Sequence, residues 1–216
     1  MELSLAPGAG APLHNEDDLR RYLQAVAQAG FSRVSLGQDQ MNALGEGSSL
    51  ERVANLVENA GLRCSDVIGL LVRSDEELTL QAAHKMAGAA EALGARFVLT
   101  LLYARLSEES LDRLDRCASI IAASGARIAF EFTPSGAVDS IQGALSVVDR
   151  LGADRAAILI DSWHFFRGPS EWSDLESVPL DRIALVQFDD ALAPLSDEVM
   201  TETMNCRTWP GEGVFD

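Results

Sequence analysis

The chain contains a single lysine, Lys85, among its 216 residues. It lies in the stretch AAHKMAGAAEAL, whose periodicity predicts a surface helix. Aldolases that form a Schiff base, and enzymes that use pyridoxal phosphate, need a lysine amine held in a pocket. The near absence of lysine therefore disfavours both classes of enzyme.

Cysteine and positive charge are also scarce. The three cysteines, Cys64, Cys117 and Cys206, are odd in number and far apart, which indicates neither a disulfide framework nor a CxxC zinc site. Lys and Arg together number 17 against 33 Asp and Glu, which gives a formal net charge of −16. Because this charge repels phosphate backbones, we expect no nucleic-acid partner.

Long apolar runs and phosphate-binding glycine motifs are missing as well. No apolar run reaches the roughly 18 to 20 residues that span a bilayer, and the N-terminus lacks the basic start and apolar block of a secretion signal. We therefore expect a cytoplasmic protein with no membrane partner. A dinucleotide-binding GxGxxG motif is incomplete, because Leu13 follows Gly8 and Gly10 where the third glycine belongs, and no GxxxxGK[ST] loop occurs.

What the sequence does contain is a repeated pattern of short apolar runs and helical windows. The apolar, β-branched runs predict strands at 2–6, 33–36, 66–72, 96–102, 127–132, 156–160 and 182–188. The windows between them predict helices at 16–29, 49–60, 76–93, 108–123 and 137–151, with a shorter one at 170–175. Five of these helices are followed by a glycine that is typical of a helix end: Gly30, Gly61, Gly94, Gly125 and Gly152.

Strands that alternate with helices pair in parallel, which leaves an open doubly wound sheet or a closed (β/α)8 barrel. The incomplete dinucleotide motif favours the barrel. We expect one barrel domain over residues 1–216. In a barrel, functional side chains lie at the carboxyl ends of the strands, which we call the rim.

Three consecutive predicted strands deliver an oxygen-bearing side chain to this rim: Glu131, Asp161 and Gln187. A lone buried carboxylate is unfavourable unless it is paired, protonated or bound to a cation. Glu131 could therefore form a salt bridge, but a cation ligand is the favoured interpretation. Asp161 could cap a helix, but the aromatic residues Trp163 and Phe165 that follow are poor helix-starting residues, so we favour a ligand there too.

The residues around these three have alternative interpretations. His164 alone would be a core histidine, but beside Asp161 it is a candidate substrate contact or proton carrier. Asp189 and Asp190 are either ligands or a solvated turn, and strand alternation places only Asp189 on the face of Gln187. Arg207 could bind a carboxylate, a hydroxyl or a phosphate group of a substrate.

The order Glu131, then DSWH at 161–164, then QFDD at 187–190, then RTWPGEG at 207–213 resembles the xylose isomerase-like barrel superfamily, in particular its sugar isomerase and epimerase branch. The resemblance covers the chain from about Ala129 onward. Members of this family bind one divalent cation, commonly Mn²⁺, Mg²⁺ or Co²⁺.

The resemblance implies that Glu131, Asp161 and Gln187 are metal ligands and that Glu131 and His164 are catalytic. It also implies that Arg207 binds substrate, while Trp163 and Phe166 form an apolar wall of the pocket. Two features depart from the family pattern. Many members have His at the position of Gln187. Some relatives, including dehydroshikimate dehydratase-like lyases, have Gln there as this chain does. The eighth strand, with its fourth ligand, and the last helices are not found within residues 1–216, so we expect a C-terminally incomplete barrel.

The resemblance favours a metal-dependent isomerase or epimerase of carbohydrate metabolism, which removes a proton beside a metal-polarised carbonyl of a sugar-like substrate. A lyase or dehydratase, acting on 3-dehydroshikimate or inosose, would begin with the same step. A non-catalytic binding protein with a vestigial barrel is a third hypothesis. A homo-oligomer and a monomer are both compatible with the sequence.

Overall fold

The computed structural model describes residues 2–6, 13–42, 49–193 and 198–216, so the incomplete glycine motif with Gly8 and Gly10 lies outside the described residues. The strands are β1 (Ser4–Leu5), β2 (Arg33–Leu36), β3 (Arg63–Val72), β4 (Phe97–Leu102), β5 (Arg127–Glu131), β6 (Ala156–Asp161), β7 (Ile183–Gln187), β8 (Asp190–Ala191) and β9 (Arg207–Thr208). The helices are α1 (Glu16–Gln28), α2 (Gln38–Asn42), α3 (Leu50–Asn59), α4 (Glu76–Leu93), α5 (Glu108–Ala123), α6 (Ile141–Leu151), α7 (Ser162–Arg167), α8 (Trp172–Glu176) and α9 (Val199–Asn205).

Strands β1 to β7 form one parallel sheet in sequence order, and the sheet curls into a partial barrel with helices outside it. All seven predicted strands are confirmed, as is the barrel type of fold. Within the described part of the chain, β1 and β7 are the two edges of this sheet. A separate antiparallel pair, β8 and β9, was not predicted from the sequence.

Local signals explain where the helices begin and end. Five helices start at a side chain that accepts a hydrogen bond from the backbone three residues on: Asn15, Ser49, Asp75, Ser107 and Ser140. All five predicted glycine stops adopt positive φ, between 62° and 90°. Helix α6 begins at Ile141 rather than at 137, because the Ser140 side chain caps it.

Alternate residues of each strand pack on opposite sides of the sheet. Phe130, Ile158 and Ile160 belong to the large core between the sheet and the helices. Phe97, Leu99, Ala129 and Leu159 form a smaller cluster on the inner face of the barrel. Since Ala129 and Leu159 lie two residues before Glu131 and Asp161, these two acidic side chains continue the inner face.

The helices of the described segments include none that is both long and apolar enough to cross a lipid bilayer.

Candidate functional site

The rim brings together three side chains that the sequence separates by up to 33 residues. Glu131 is the last residue of β5, and Asp161 is the last residue of β6. His164 follows within the first turn of α7. One ligand atom from each of these three residues lies within 4.8 Å of the other two, and all three side chains are buried.

The contact between His164 and Glu131 is direct. The His164 Nε2 atom lies 3.4 Å from Oε1 of Glu131. Burial raises the pKa of the Glu131 carboxyl, and the neighbouring Asp161 charge adds to the effect, while the hydrogen bond and charge of His164 oppose it. A carboxylate that burial disfavours in this way is stabilised by a nearby cation.

The donor atoms of this cluster suit a divalent cation. Two carboxylates and an imidazole offer hard oxygen and borderline nitrogen ligands, which Mg²⁺, Mn²⁺, Co²⁺ and Zn²⁺ accept in different proportions. Their mutual approach within 4.8 Å is compatible with one ion bound between them. The residues present therefore fit the cation that the sequence resemblance implies.

Asp161 is also the N-cap of α7, a role that the sequence analysis considered but did not favour, while its role as a metal ligand stays a prediction. Its Oδ1 accepts a hydrogen bond of 3.0 Å from the backbone N–H of His164. Helix α7 forms despite its aromatic start because Trp163 and Phe165 are buried. Tertiary packing thus overrides the weak local preference, and Oδ2 of Asp161 remains for other partners.

Gln187, the third predicted ligand, ends β7 directly beside Asp161, with which it is paired across the two strands. Paired residues of parallel strands point to the same face of a sheet. Gln187 therefore lies on the face that carries the cluster, and its role as a ligand stays a prediction.

Arg207 reaches the rim from β9. Its Nη1 atom donates a hydrogen bond of 2.8 Å to Oδ2 of Asp161 and also contacts Oδ2 of Asp189. The guanidinium carbon lies 5.0 Å from the centre of the Trp163 ring, a cation–π geometry. The short β8–β9 pair accounts for this placement, because β8 follows closely after β7 and its pairing with β9 returns the chain to the end of β6.

Asp189 is a site residue that the sequence indicated only by strand alternation. Its Oδ1 accepts hydrogen bonds from Ser162 Oγ at 2.9 Å and from the Trp163 backbone N–H at 3.1 Å. Burial raises the pKa of Asp189, as does the charge of Asp161, while Arg207 opposes the shift. Two carboxylates are thus held close together by one guanidinium.

Asp190, next along the chain, turns away from this group. Its side chain accepts backbone hydrogen bonds from Ala191, Gly211, Gly213 and Phe215. These bonds, of which that from Phe215 is the largest influence, lower the pKa of Asp190. Asp190 therefore anchors the PGEG turn rather than contributing to the rim.

The aromatic residues predicted around the site separate into two groups. The Trp163 side chain is almost fully buried and packs edge-on against His164, with 5.3 Å between ring centres. Phe166 stacks on Phe215 at 4.6 Å and contacts Trp172, and Phe165 belongs to the main core. Trp163 thus lies at the cluster, whereas the role of Phe166 as a pocket wall stays a prediction.

Comparison with known proteins gives a consistent result. A family model described as xylose isomerase-like TIM barrel matches residues 23–216. An inosose isomerase of Halalkalibacterium halodurans is 26% identical over 122 residues, which cover 54% of this chain and 41% of that protein. An inosose isomerase of Bacillus subtilis is 27% identical over 117 residues, which cover 51% and 40%. The matched part of the chain spans less than half the length of these curated relatives.

Solved structures share the fold. A fusion of a xylose isomerase-like TIM barrel with a 4-hydroxyphenylpyruvate dioxygenase superposes with a TM-score of 0.83 at 22% identity, covering 100% of this chain and 35% of that one. The IOLI protein, solved with a bound zinc atom, gives 0.80 at 20% identity, covering 100% and 81%. A probable 3-DHS dehydratase of Bacillus anthracis gives 0.74 at 15% identity, covering 89% and 74%.

Proposed function

Because this chain belongs to the xylose isomerase-like TIM barrel family, we propose that it is a divalent-metal-dependent isomerase or epimerase of a sugar or a related hydroxy-ketone. The observation that carries the proposal is the buried cluster of Glu131, Asp161 and His164 at the rim. The similarity to inosose isomerases supports a cyclic or open-chain polyol ketone as the substrate.

The proposed reaction begins with removal of a proton from the carbon next to the substrate carbonyl. Glu131 and Asp161 would hold the cation, with Gln187 beside them, and a bound cation polarises the carbonyl and acidifies that proton. Glu131 is the base, since its pKa is raised towards the range in which a carboxyl both takes and returns a proton.

The remaining side chains orient the substrate. His164, whose Nε2 faces Glu131, donates a hydrogen bond to a substrate oxygen, and Arg207 binds a second oxygen. Trp163 offers an apolar surface to the carbon skeleton beside them. For Arg207 to bind a substrate oxygen, its hydrogen bond to Oδ2 of Asp161 must be at least partly broken.

The test combines metal binding with a proton-exchange assay. The purified protein is titrated with Mn²⁺ in a calorimeter and is then incubated with an inosose in D₂O, where loss of the carbon-bound proton is followed by NMR. Glu131→Gln should weaken metal binding and slow the exchange by at least about 100-fold, because general-base catalysis contributes about that much. Glu58→Gln, an exposed change on α3, is the matched control and should alter neither.

Failure of Mn²⁺ to bind, or exchange that is independent of Glu131, would contradict this assignment. Binding of metal and inosose without exchange would favour the non-catalytic binding protein.

A dehydratase on the same site is the second candidate, and Gln187 is the observation that favours it, together with the structural likeness to a probable 3-DHS dehydratase. Both activities share the first proton removal. Mass spectrometry of the products separates them, because an isomerase keeps the mass of the substrate whereas a dehydratase forms a product lighter by one water.

A further inference from the structure

The Arg207 guanidinium is held on several sides. Its Nη1 atom bridges Asp161 and Asp189, and both Nε and Nη2 donate to Thr203 Oγ1, at 3.2 and 2.9 Å. The Asp161 and Asp189 side chains are 2% and 19% exposed, so each depends on this cation for charge compensation.

The oxygen that Arg207 holds is the one that a metal centre needs. Oδ1 of Asp161 is engaged in capping α7 through the His164 backbone N–H. Oδ2 is therefore the oxygen through which Asp161 can join Glu131 at a cation. A guanidinium and a divalent cation at one carboxylate oxygen repel each other, which opposes simultaneous occupancy.

We propose that a divalent cation displaces the Arg207 guanidinium from Oδ2 of Asp161, an event that we call the exchange. Asp189 is then the positioning residue that keeps the guanidinium at the rim after it has left Asp161. The inference rests on the metal centre of the proposed function. Asp189 can serve in this way because Ser162 and the Trp163 backbone fix its other carboxylate oxygen. The exchange would couple metal loading to release of the arginine for the substrate.

Trp163 gives a local readout of the exchange, because the Arg207 guanidinium lies over its ring. Replacing Trp172 and Trp209 with Phe leaves Trp163 as the only tryptophan of the chain. This background is titrated with Zn²⁺ alone, which has a filled d shell and is not paramagnetic. Affinity is measured by calorimetry on the same samples.

Arg207→Met should bind Zn²⁺ about 10-fold more tightly than the parent, within the range of ordinary coupling between two sites. Arg207→Gln, which retains a hydrogen-bond donor for Thr203, should show the same increase in Zn²⁺ affinity. Agreement between the two variants shows that the increase does not come from a folding defect in one of them. Arg150→Met is the matched control, because Arg150 also bridges two carboxylates, Glu108 and Asp112, but on the exposed surface of α6. It should leave Zn²⁺ affinity unchanged.

The fluorescence emission of Trp163 distinguishes movement of the Arg207 guanidinium from mere removal of its charge repulsion towards the cation. Zn²⁺ should change this emission more in the parent, where the guanidinium also moves, than in Arg207→Met, where only the cation itself acts on the ring. In Asp189→Asn the emission at saturating Zn²⁺ should reach that of Arg207→Met, because the guanidinium is no longer retained.

An unchanged Zn²⁺ affinity in Arg207→Met, while the parent binds, overturns the exchange and leaves the metal centre standing. A Zn²⁺-dependent emission change of equal size in the parent and in Arg207→Met also overturns it. Absence of Zn²⁺ binding in both proteins overturns the exchange and the proposed metal centre together.

Discussion

Asp66 should make this protein less stable as the pH rises. It is 1% exposed, on β3, and its Oδ1 accepts hydrogen bonds from Ser35 Oγ at 2.7 Å and Ser65 Oγ at 2.6 Å. Burial raises the pKa of the Asp66 carboxyl, and the two hydroxyls only partly oppose this. The folded protein therefore favours the protonated form of this side chain.

The sign of the effect follows from proton linkage. Between the ordinary Asp pKa, about 3.9, and the raised folded value, the native state binds more protons than the unfolded state. The contribution of Asp66 to the free energy of unfolding is thus largest below the ordinary pKa, falls as the pH rises through this window and becomes level above the folded pKa. Each unit by which the pKa is raised costs about 1.4 kcal/mol at neutral pH.

Asp66→Asn tests this reasoning, because an amide retains the acceptor oxygen for Ser35 and Ser65 but carries no charge. The free energy of unfolding, measured in urea across a pH series, should be higher than that of the parent at neutral pH, by about 1.4 kcal/mol for each unit by which folding raises the Asp66 pKa. The advantage should shrink towards pH 4. The exposed Asp17→Asn change on α1 is the control and should shift stability by less than about 0.5 kcal/mol.

A variant that is less stable than the parent by the same amount at every pH would refute the argument, since it would show that folding does not raise the pKa of Asp66.

Two further predictions concern the thiols and the PGEG turn. In the native protein at pH 8 a thiol reagent should label only Cys206. The other two thiols are buried, and burial raises the pKa of Cys64 to about 12 and that of Cys117 to about 11. Labelling of all three cysteines before unfolding would contradict this prediction. Gly213→Ala should loosen the C-terminal turn and speed its proteolysis, since an added Cβ would overlap the Asp190 side chain. Gly88→Ala is the control and should not speed proteolysis, because a Cβ at that position on α4 meets open space. Equal cleavage rates for Gly213→Ala and the parent would disprove the overlap.

Much of the fold was predictable because it is encoded locally. Five glycines with positive φ end five helices, and the sequence shows all five. The rim position of Glu131 also follows locally, since Phe130 and Ala129 alternate between the outer core and the inner cluster. By contrast, the starts of β3 and α6 were misplaced by three or four residues, because strand pairing and the Ser140 cap determine them.

The candidate site was predictable only in part. Strand order predicts that Glu131 and Asp161 meet at one rim, and the sequence alone supplies that order. It offered the cap at Asp161 only as the less favoured alternative, because α7 begins with aromatic residues that are stable there only when buried. It could not predict the partners of Arg207, which lies 46 residues beyond Asp161.

The sequence by itself determined the β/α repeat, the helix ends and the identity of the acidic residues that end β5 and β6, because periodicity, capping and alternation act over a few residues. Only the tertiary structure decided which oxygen of Asp161 is free of the helix, that Asp189 lies beside Arg207, and that Asp190 does not. The first outcome depends on burial of the aromatic residues that let α7 form. The other two depend on the pairing of β8 with β9, and contacts between residues so far apart leave no periodic signal in the chain.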